Sequence, residues 1–228
     1  KEFRQLGSLT PGHPEIETPG IDANTGPLGQ GVGMGIGMAL AERVSAEKNQ
    51  SNRFTYILAG DGDLQEPIAL GSSSLAGHWK LSNLIMFYDK NDIQIAGKTS
   101  RVDSTDYAKL YESMGWHVQE IDGHNHSEIR KSIKNAQSSK LPSIIIGKTT
   151  IAKGSYSLEN NPKSHGAPFS EEEIKLTKNK LGLPQESFFC YDYILNHFQR
   201  NFNPLKDRVK ALDKTFKNIT RNYREMIN

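Results

Sequence analysis

The sequence predicts an α/β protein: a parallel sheet with helices on both faces, followed by a helical linker. Three observations predict it. Short apolar runs rich in β-branched and aromatic residues alternate with longer helical stretches, and that alternation builds parallel sheets. The residues just after the runs are polar or glycine-rich, where open sheets of this class bind ligands. The alternation stops after Gly154 and gives way to a polar loop and then helical sequence.

Residues 1–29 are rich in Gly, Pro and Thr and read as an extended loop region. From 30 to 48, small and apolar residues run into AERVSAEK, a helix with a charged end. Strands follow at 54–59 (FTYILA), 83–89 (NLIMFYD), 117–122 (HVQEID) and 142–148 (PSIIIGK). Between them lie helices at 68–79, 106–114 and 127–136. Ser170 with Glu173 forms a capping box that opens a helix to about Leu181. From Gln185 the chain reads as helical, amphipathic and basic, a linker rather than a second domain.

The 228 residues suit one large domain, or one domain plus an appendage. A formal net charge of +2, with 24 % charged residues, demands neither nucleic acid nor an anionic membrane as partner. No apolar run approaches the roughly 20 residues of a membrane helix. One cysteine, Cys190, excludes an internal disulfide framework and any cysteine-rich zinc site, and fits a reducing cytoplasm. Position 1 is lysine and no signal peptide follows, so the N-terminus reads as cut or processed.

Two nucleotide-binding patterns fail. GKT occurs at 97–99 and 147–149, but the glycine that a P-loop needs is replaced by Asp92 and Pro142. The ladder GQGVGMGIG lacks the third glycine of the dinucleotide fingerprint, since Gly29 and Gly31 are followed by Met34. Its helical glycines at 31, 33, 35 and 37 each cost roughly 1 kcal/mol relative to alanine. Close approach to another backbone would justify that cost, in a subunit contact or inside the fold.

The chemistry centres on ILAGDGDLQEP (57–67). Asp61 offers a carboxylate at a strand's carboxyl end, and Gly60 and Gly62 let a ligand come close to the backbone. GDG alone also fits a tight turn. Thirty residues on, Asn91 offers an amide oxygen in the loop after the next strand, and the carbonyl of Ile93 is near it. In a parallel sheet those loops are neighbours, so hard oxygen donors converge on one divalent ion, which usually shares substrate phosphates. The helix after GDG turns its positive end to the same place.

GDG, about thirty residues and an asparagine together resemble the thiamine diphosphate motif. FRQLGSLTPGHPEIETPGIDANTGPLGQG, SLAGHWKLSNLIMFYDKNDIQIAG, YESMGWHVQEIDGH and KSHGAPFSEEEI resemble transketolase, in the family's order, from about Phe3 to about Leu181. The resemblance implies the thiamine diphosphate-binding fold, with 1–184 as a diphosphate-binding domain lacking its usual N-terminal part. It makes 185–228 a linker toward an absent pyrimidine-binding domain. Asp61, Asn91 and the Ile93 carbonyl match the ligands of Mg2+ or Ca2+, and Gly62 and Asn91 also touch the diphosphate. Gly26, Pro27 and Leu28 match the segment lining the aminopyrimidine side. His165 matches a histidine near the diphosphate and the sugar, and His13 one that contacts the donor sugar, both as proton carriers or oxyanion contacts. His124 and His126 resemble metal spacing, but the DGH turn looks structural in the family.

The implied reaction moves a two-carbon ketol unit from a ketose phosphate to an aldose phosphate in the pentose phosphate pathway. The implied enzyme is a cytoplasmic homodimer with the cofactor at the subunit interface, so the chain alone is expected not to turn over. Two features depart from the pattern: Pro67 replaces a glycine, and Gly71 stands where a second acidic residue follows Glu66 by five positions. Dihydroxyacetone synthase shares the architecture, and a non-catalytic cofactor- or partner-binding module would also account for Gly71.

Overall fold

The computed structural model describes residues 2–49, 53–202, 204 and 206. Two compact units result, Lys1–Ile174 and Lys175–Asn228. Four strands of the first unit form one wholly parallel sheet: β1 (Thr55–Gly60), β2 (Leu84–Lys90), β5 (His117–Asp122) and β6 (Ser143–Lys148). Their order is β1-β2-β6-β5. Each lies within a residue of its expected position. Such strands read as unbroken apolar runs because both faces are covered. In β2, Leu84, Met86 and Tyr88 face one side and Ile85 and Phe87 the other; in β6, Ile144 and Ile146 oppose Ile145.

The first face packs against α1 (Gln30–Asn49), α3 (Pro67–His78) and α4 (Tyr107–Ser113), through Val32, Ile36, Ala39, Ala69, Ala76 and Tyr111. The second packs against α5 (His126–Ser138), through Ile133 and Ala136. Helices thus cover both faces, as the sequence predicts. On β1, however, Tyr56 and Leu58 remain 54 % and 77 % exposed. The glycine ladder of α1 works inside the fold: an added Cβ at Gly35 would lie 2.6 Å from Ile57 Cγ1. At Gly33 it would lie 3.4 Å from Ile68, whereas one at Gly37 would meet nothing within 4 Å beyond its own helix.

Two short features escape the sequence reading. Helix begins at Asp61 itself, as the single turn α2 (Asp61–Gln65), and Pro67 opens α3 as its first residue, where a missing N–H costs nothing. After β2 the chain forms a small antiparallel hairpin, β3 (Ile93–Gln94) and β4 (Gly97–Lys98). The first GKT is therefore a hairpin strand, with Gly97 at φ +122°. The second ends β6, where a Cβ on Gly147 would lie 2.5 Å from Phe87 Cζ.

Side-chain caps set the helix starts. Asp106 accepts from the Lys109 N–H, and Asn125 from those of Ser127 and Glu128. The Glu173 N–H donates to Ser170 Oγ at the start of α6 (Glu171–Lys180), and the Glu173 carboxylate accepts from Ser157. Gly182, at φ +65°, ends that helix. Helix does not resume at Gln185 as the sequence reading expects. Pro184 and a left-handed Phe188 break the backbone, and the next helical residues are 192–202. The remainder of the expected linker, beyond 206, lies outside the described residues.

Candidate metal and cofactor site

The carboxyl ends of β1 and β2 carry the site. Parallel register pairs Gly60 with Asp89, so the chains leave the sheet side by side, into α2 on one strand and toward Asn91 on the other. Asp61, Asn91 and Ile93 line one cavity of about 500 Å3, together with Tyr88, Asp92, Asp103, Tyr107 and the lysines 90, 98 and 148. The structure therefore brings the three expected metal ligands to one place.

Asp61 is 5 % exposed. One oxygen accepts from the Tyr88 hydroxyl at 2.7 Å and the other from the Asp92 backbone N–H at 3.0 Å. Burial pushes its carboxyl above the ordinary range. The Tyr88 hydrogen bond opposes that rise, the Asp92 charge adds to it, and the Asp92 and Asn91 backbone donors oppose it again. Burial and the Asp61 carboxylate push the Tyr88 hydroxyl up in turn, so it stays protonated and donates. No ion pair to Asp61 occurs among the described residues. A buried carboxylate held only by neutral donors fits a cation, which would supply the missing counter-charge.

Asn91 Oδ1 accepts from the Ile93 N–H at 3.0 Å, which fixes the amide in a tight turn and leaves the oxygen a second lone pair. Asp92, at φ +60°, lets the backbone double back to Asp61. Carboxylate, amide and backbone carbonyl are the hard donors that magnesium or calcium takes. Among the described residues no three His, Cys, Asp or Glu side chains converge elsewhere as a metal site.

The segment 26–28 approaches from the other side. A Cβ on Gly62 would lie 3.2 Å from Leu28 Cδ1, and one on Gly26 3.0 Å from the His13 ring. His13, exposed, thus lies against Gly26 and lines a separate shallow concavity formed by residues 4–15, which Gly26 does not line. Pro27 is likewise outside the metal cavity. His165 ends the 3-10 turn Pro162–Ser164, exposed and outside that cavity's lining, although Asn160 belongs to it. His124 is structural: its Nε2 accepts from the Thr150 N–H at 2.8 Å. His126 begins α5. Gly71 lies on an exposed part of α3 with nothing within 4 Å.

Three residues here escaped the sequence reading: Tyr88, Asp92 and Asp63. Asp63 accepts from the Gly60 N–H at 2.9 Å and from the Gly29 N–H at 3.0 Å. Its position two residues after Asp61 was the available signal for Asp63, and adjacency to Asn91 that for Asp92. Tyr88 carries none, because a tyrosine in an apolar strand looks like core.

Comparison with known proteins places this geometry in context. Residues 1–228 match the family described as transketolase, thiamine diphosphate binding domain. The chain is 44 % identical over 224 residues to transketolase 1 of Saccharomyces cerevisiae, covering 94 % of this chain and 32 % of that protein. It is 45 % identical over 208 residues to transketolase 2 of Escherichia coli, covering 84 % and 31 %. The solved structure of transketolase from Leishmania mexicana superposes with a TM-score of 0.87 at 37 % identity, covering 93 % of this chain and 33 % of that one. A Pichia stipitis transketolase in complex with sedoheptulose-7-phosphate does so at 0.85 and 34 % identity, covering 99 % and 35 %. The chain spans about a third of the length of these relatives.

Proposed function

From the premise that this chain belongs to the transketolase thiamine diphosphate-binding domain family, we propose that it supplies the metal and diphosphate half of a ketol-transferring site. One observation carries the reading. Asp61, buried with no cationic partner among the described residues, shares a cavity with Asn91 and Ile93 at the ends of two adjacent parallel strands.

In this reading Asp61, the Asn91 amide and the Ile93 carbonyl hold Mg2+ or Ca2+. Gly62 and Asn91 meet the diphosphate, where the absence of a Cβ at 62 allows close approach. Gly26, Pro27 and Leu28 line the aminopyrimidine side. Thiamine diphosphate, when bound, supplies the nucleophilic carbon and electron sink that two-carbon transfer between sugar phosphates requires. The chain's own part is to neutralise the diphosphate through the metal, to orient the cofactor, and to place His13 and His165 at the sugar oxygens as proton carriers. Residues 1–184 act as the diphosphate-binding domain and 185–228 as a linker to a pyrimidine-binding domain. The working unit is a cytoplasmic homodimer with the cofactor between subunits, and the isolated chain transfers nothing.

Calorimetric titration of thiamine diphosphate, with and without magnesium, into the chain supplemented with its pyrimidine-binding domain tests the reading. Magnesium-dependent binding is expected, and Asp61→Ala abolishes it while the far-ultraviolet circular dichroism is retained. Unchanged binding by a folded Asp61→Ala variant would remove the metal role.

A further inference from the structure

Asp63 is not among the ligands assigned above, and it does not line the cavity of Asp61. Its carboxylate nevertheless joins two segments far apart in sequence. One oxygen takes the N–H of Gly60, which ends β1, and the other the N–H of Gly29, which ends the 26–28 segment. We propose that Asp63 is a positioning residue that locks the 26–29 loop to the Asp61–Gly62 turn, so that the two ends of one thiamine diphosphate are gripped in fixed relation. The proposal rests on the cofactor reading above.

Three features support it. The two segments touch at further points: Leu28 against Gly62, and Gly29 against Glu66, whose Cβ an added Cβ at 29 would meet at 2.6 Å. Gly29, whose N–H donates to Asp63, has φ +73°, a conformation that other residues adopt only with strain. A carboxylate so near a diphosphate site also works against an anionic ligand electrostatically. Here both oxygens are occupied by backbone donors, in the strong charge-assisted class of hydrogen bond. Asp63 therefore acts through the backbone, and its effect should depend on whether the ligand spans both segments.

Thiamine diphosphate spans both; inorganic diphosphate reaches only the metal side. The experiment is calorimetric titration of each, with magnesium, into the chain supplemented with its pyrimidine-binding domain and into the Asp63→Ala and Asp63→Asn variants so supplemented, alongside the thermal midpoint of each ligand-free protein. Asp63→Ala is expected to weaken thiamine diphosphate by about ten-fold, the size of one lost charged hydrogen bond, and inorganic diphosphate by less than about two-fold. Asp63→Asn keeps one acceptor oxygen and falls between, which preserves the test if the alanine variant does not fold. Equal losses for both ligands would make Asp63 a general scaffold residue, and unchanged thiamine diphosphate affinity would show the loop held without it. Either result overturns the proposal while leaving the cofactor reading intact. Failure of the unsubstituted protein, with its pyrimidine-binding domain supplied, to bind either ligand overturns both.

Discussion

At the scale of single residues, Asp61 carries a burial cost that its proposed metal role would justify. Asp61 has its carboxyl raised by burial above the ordinary 3.8, so the folded chain holds that proton more tightly than the unfolded chain. Stability from this group is full below pH 3.8 and is lost as the pH rises through the raised value. Asp61→Asn removes that loss: its amide oxygen accepts from Asp92, and its NH2 donates to the Tyr88 hydroxyl, which can also accept. The ligand-free variant should therefore unfold at a higher temperature than the parent at pH 7. The gain should vanish toward pH 3.8, and magnesium should no longer stabilise the variant. Thermal midpoints measured across that pH range, without and with magnesium, check this, and equal midpoints at pH 7 would mean that Tyr88 and the backbone donors fully offset the burial. That Asp61, Asn91 and Ile93 come to one cavity was legible in the sequence, because strand ends announce themselves by a change from apolar to polar residues. Asp63 was not, because its partner Gly29 lies 34 residues away and only the folded loop brings them together.

At the scale of elements, α3 holds two glycines with opposite duties. Gly71 is exposed with open space around it, so Gly71→Ala should stabilise the chain by up to about 1 kcal/mol through helix propensity alone. Gly77 is buried where α3 meets the end of α4, and a Cβ there would fall 1.8 Å from the Met114 carbonyl oxygen. Gly77→Ala forces those backbones apart and should cost on the order of 1–3 kcal/mol. Urea unfolding of the two variants separates these outcomes, and a neutral Gly77→Ala would mean that the α3–α4 junction yields easily. The same contrast explains what the sequence hid. Four strands and the larger helices were legible to within one or two residues, because their periodicity is local. The single turn at Asp61 and the hairpin Ile93–Lys98 are too short for any period, and their backbone is set by the Asp61–Asp92 and Asn91–Ile93 hydrogen bonds.

At the scale of the molecule, the fold class and the convergence of the Asp61 and Asn91 loops followed from alternation, whereas the placing of the other expected site residues did not. His13, Gly26 and His165 are tied to the cofactor by resemblance, and the sheet brings only Asp61, Asn91 and Ile93 into one cavity. What holds those three is the β1–β2 register, in which Ala59 faces Tyr88 and Gly60 faces Asp89. An alanine inserted between Met86 and Phe87 moves Tyr88 to the opposite face of the sheet. It should abolish magnesium-dependent thiamine diphosphate binding in a chain whose circular dichroism stays α/β. An alanine inserted at the hairpin tip, between Ile95 and Ala96, should leave binding within about two-fold, because it lies beyond Ile93, the last of the proposed ligands. Retained binding by the first variant would detach the site from the register. The pleat thus serves as a ruler: the gap between Asp61 and Asn91, the two side chains proposed to hold the metal, is counted in hydrogen-bonded rungs, not in residues along the chain. Helices between the strands can lengthen or shorten without changing that count, so a pattern search with a rigid Asp-to-Asn interval would overlook chains that keep the same coordination geometry.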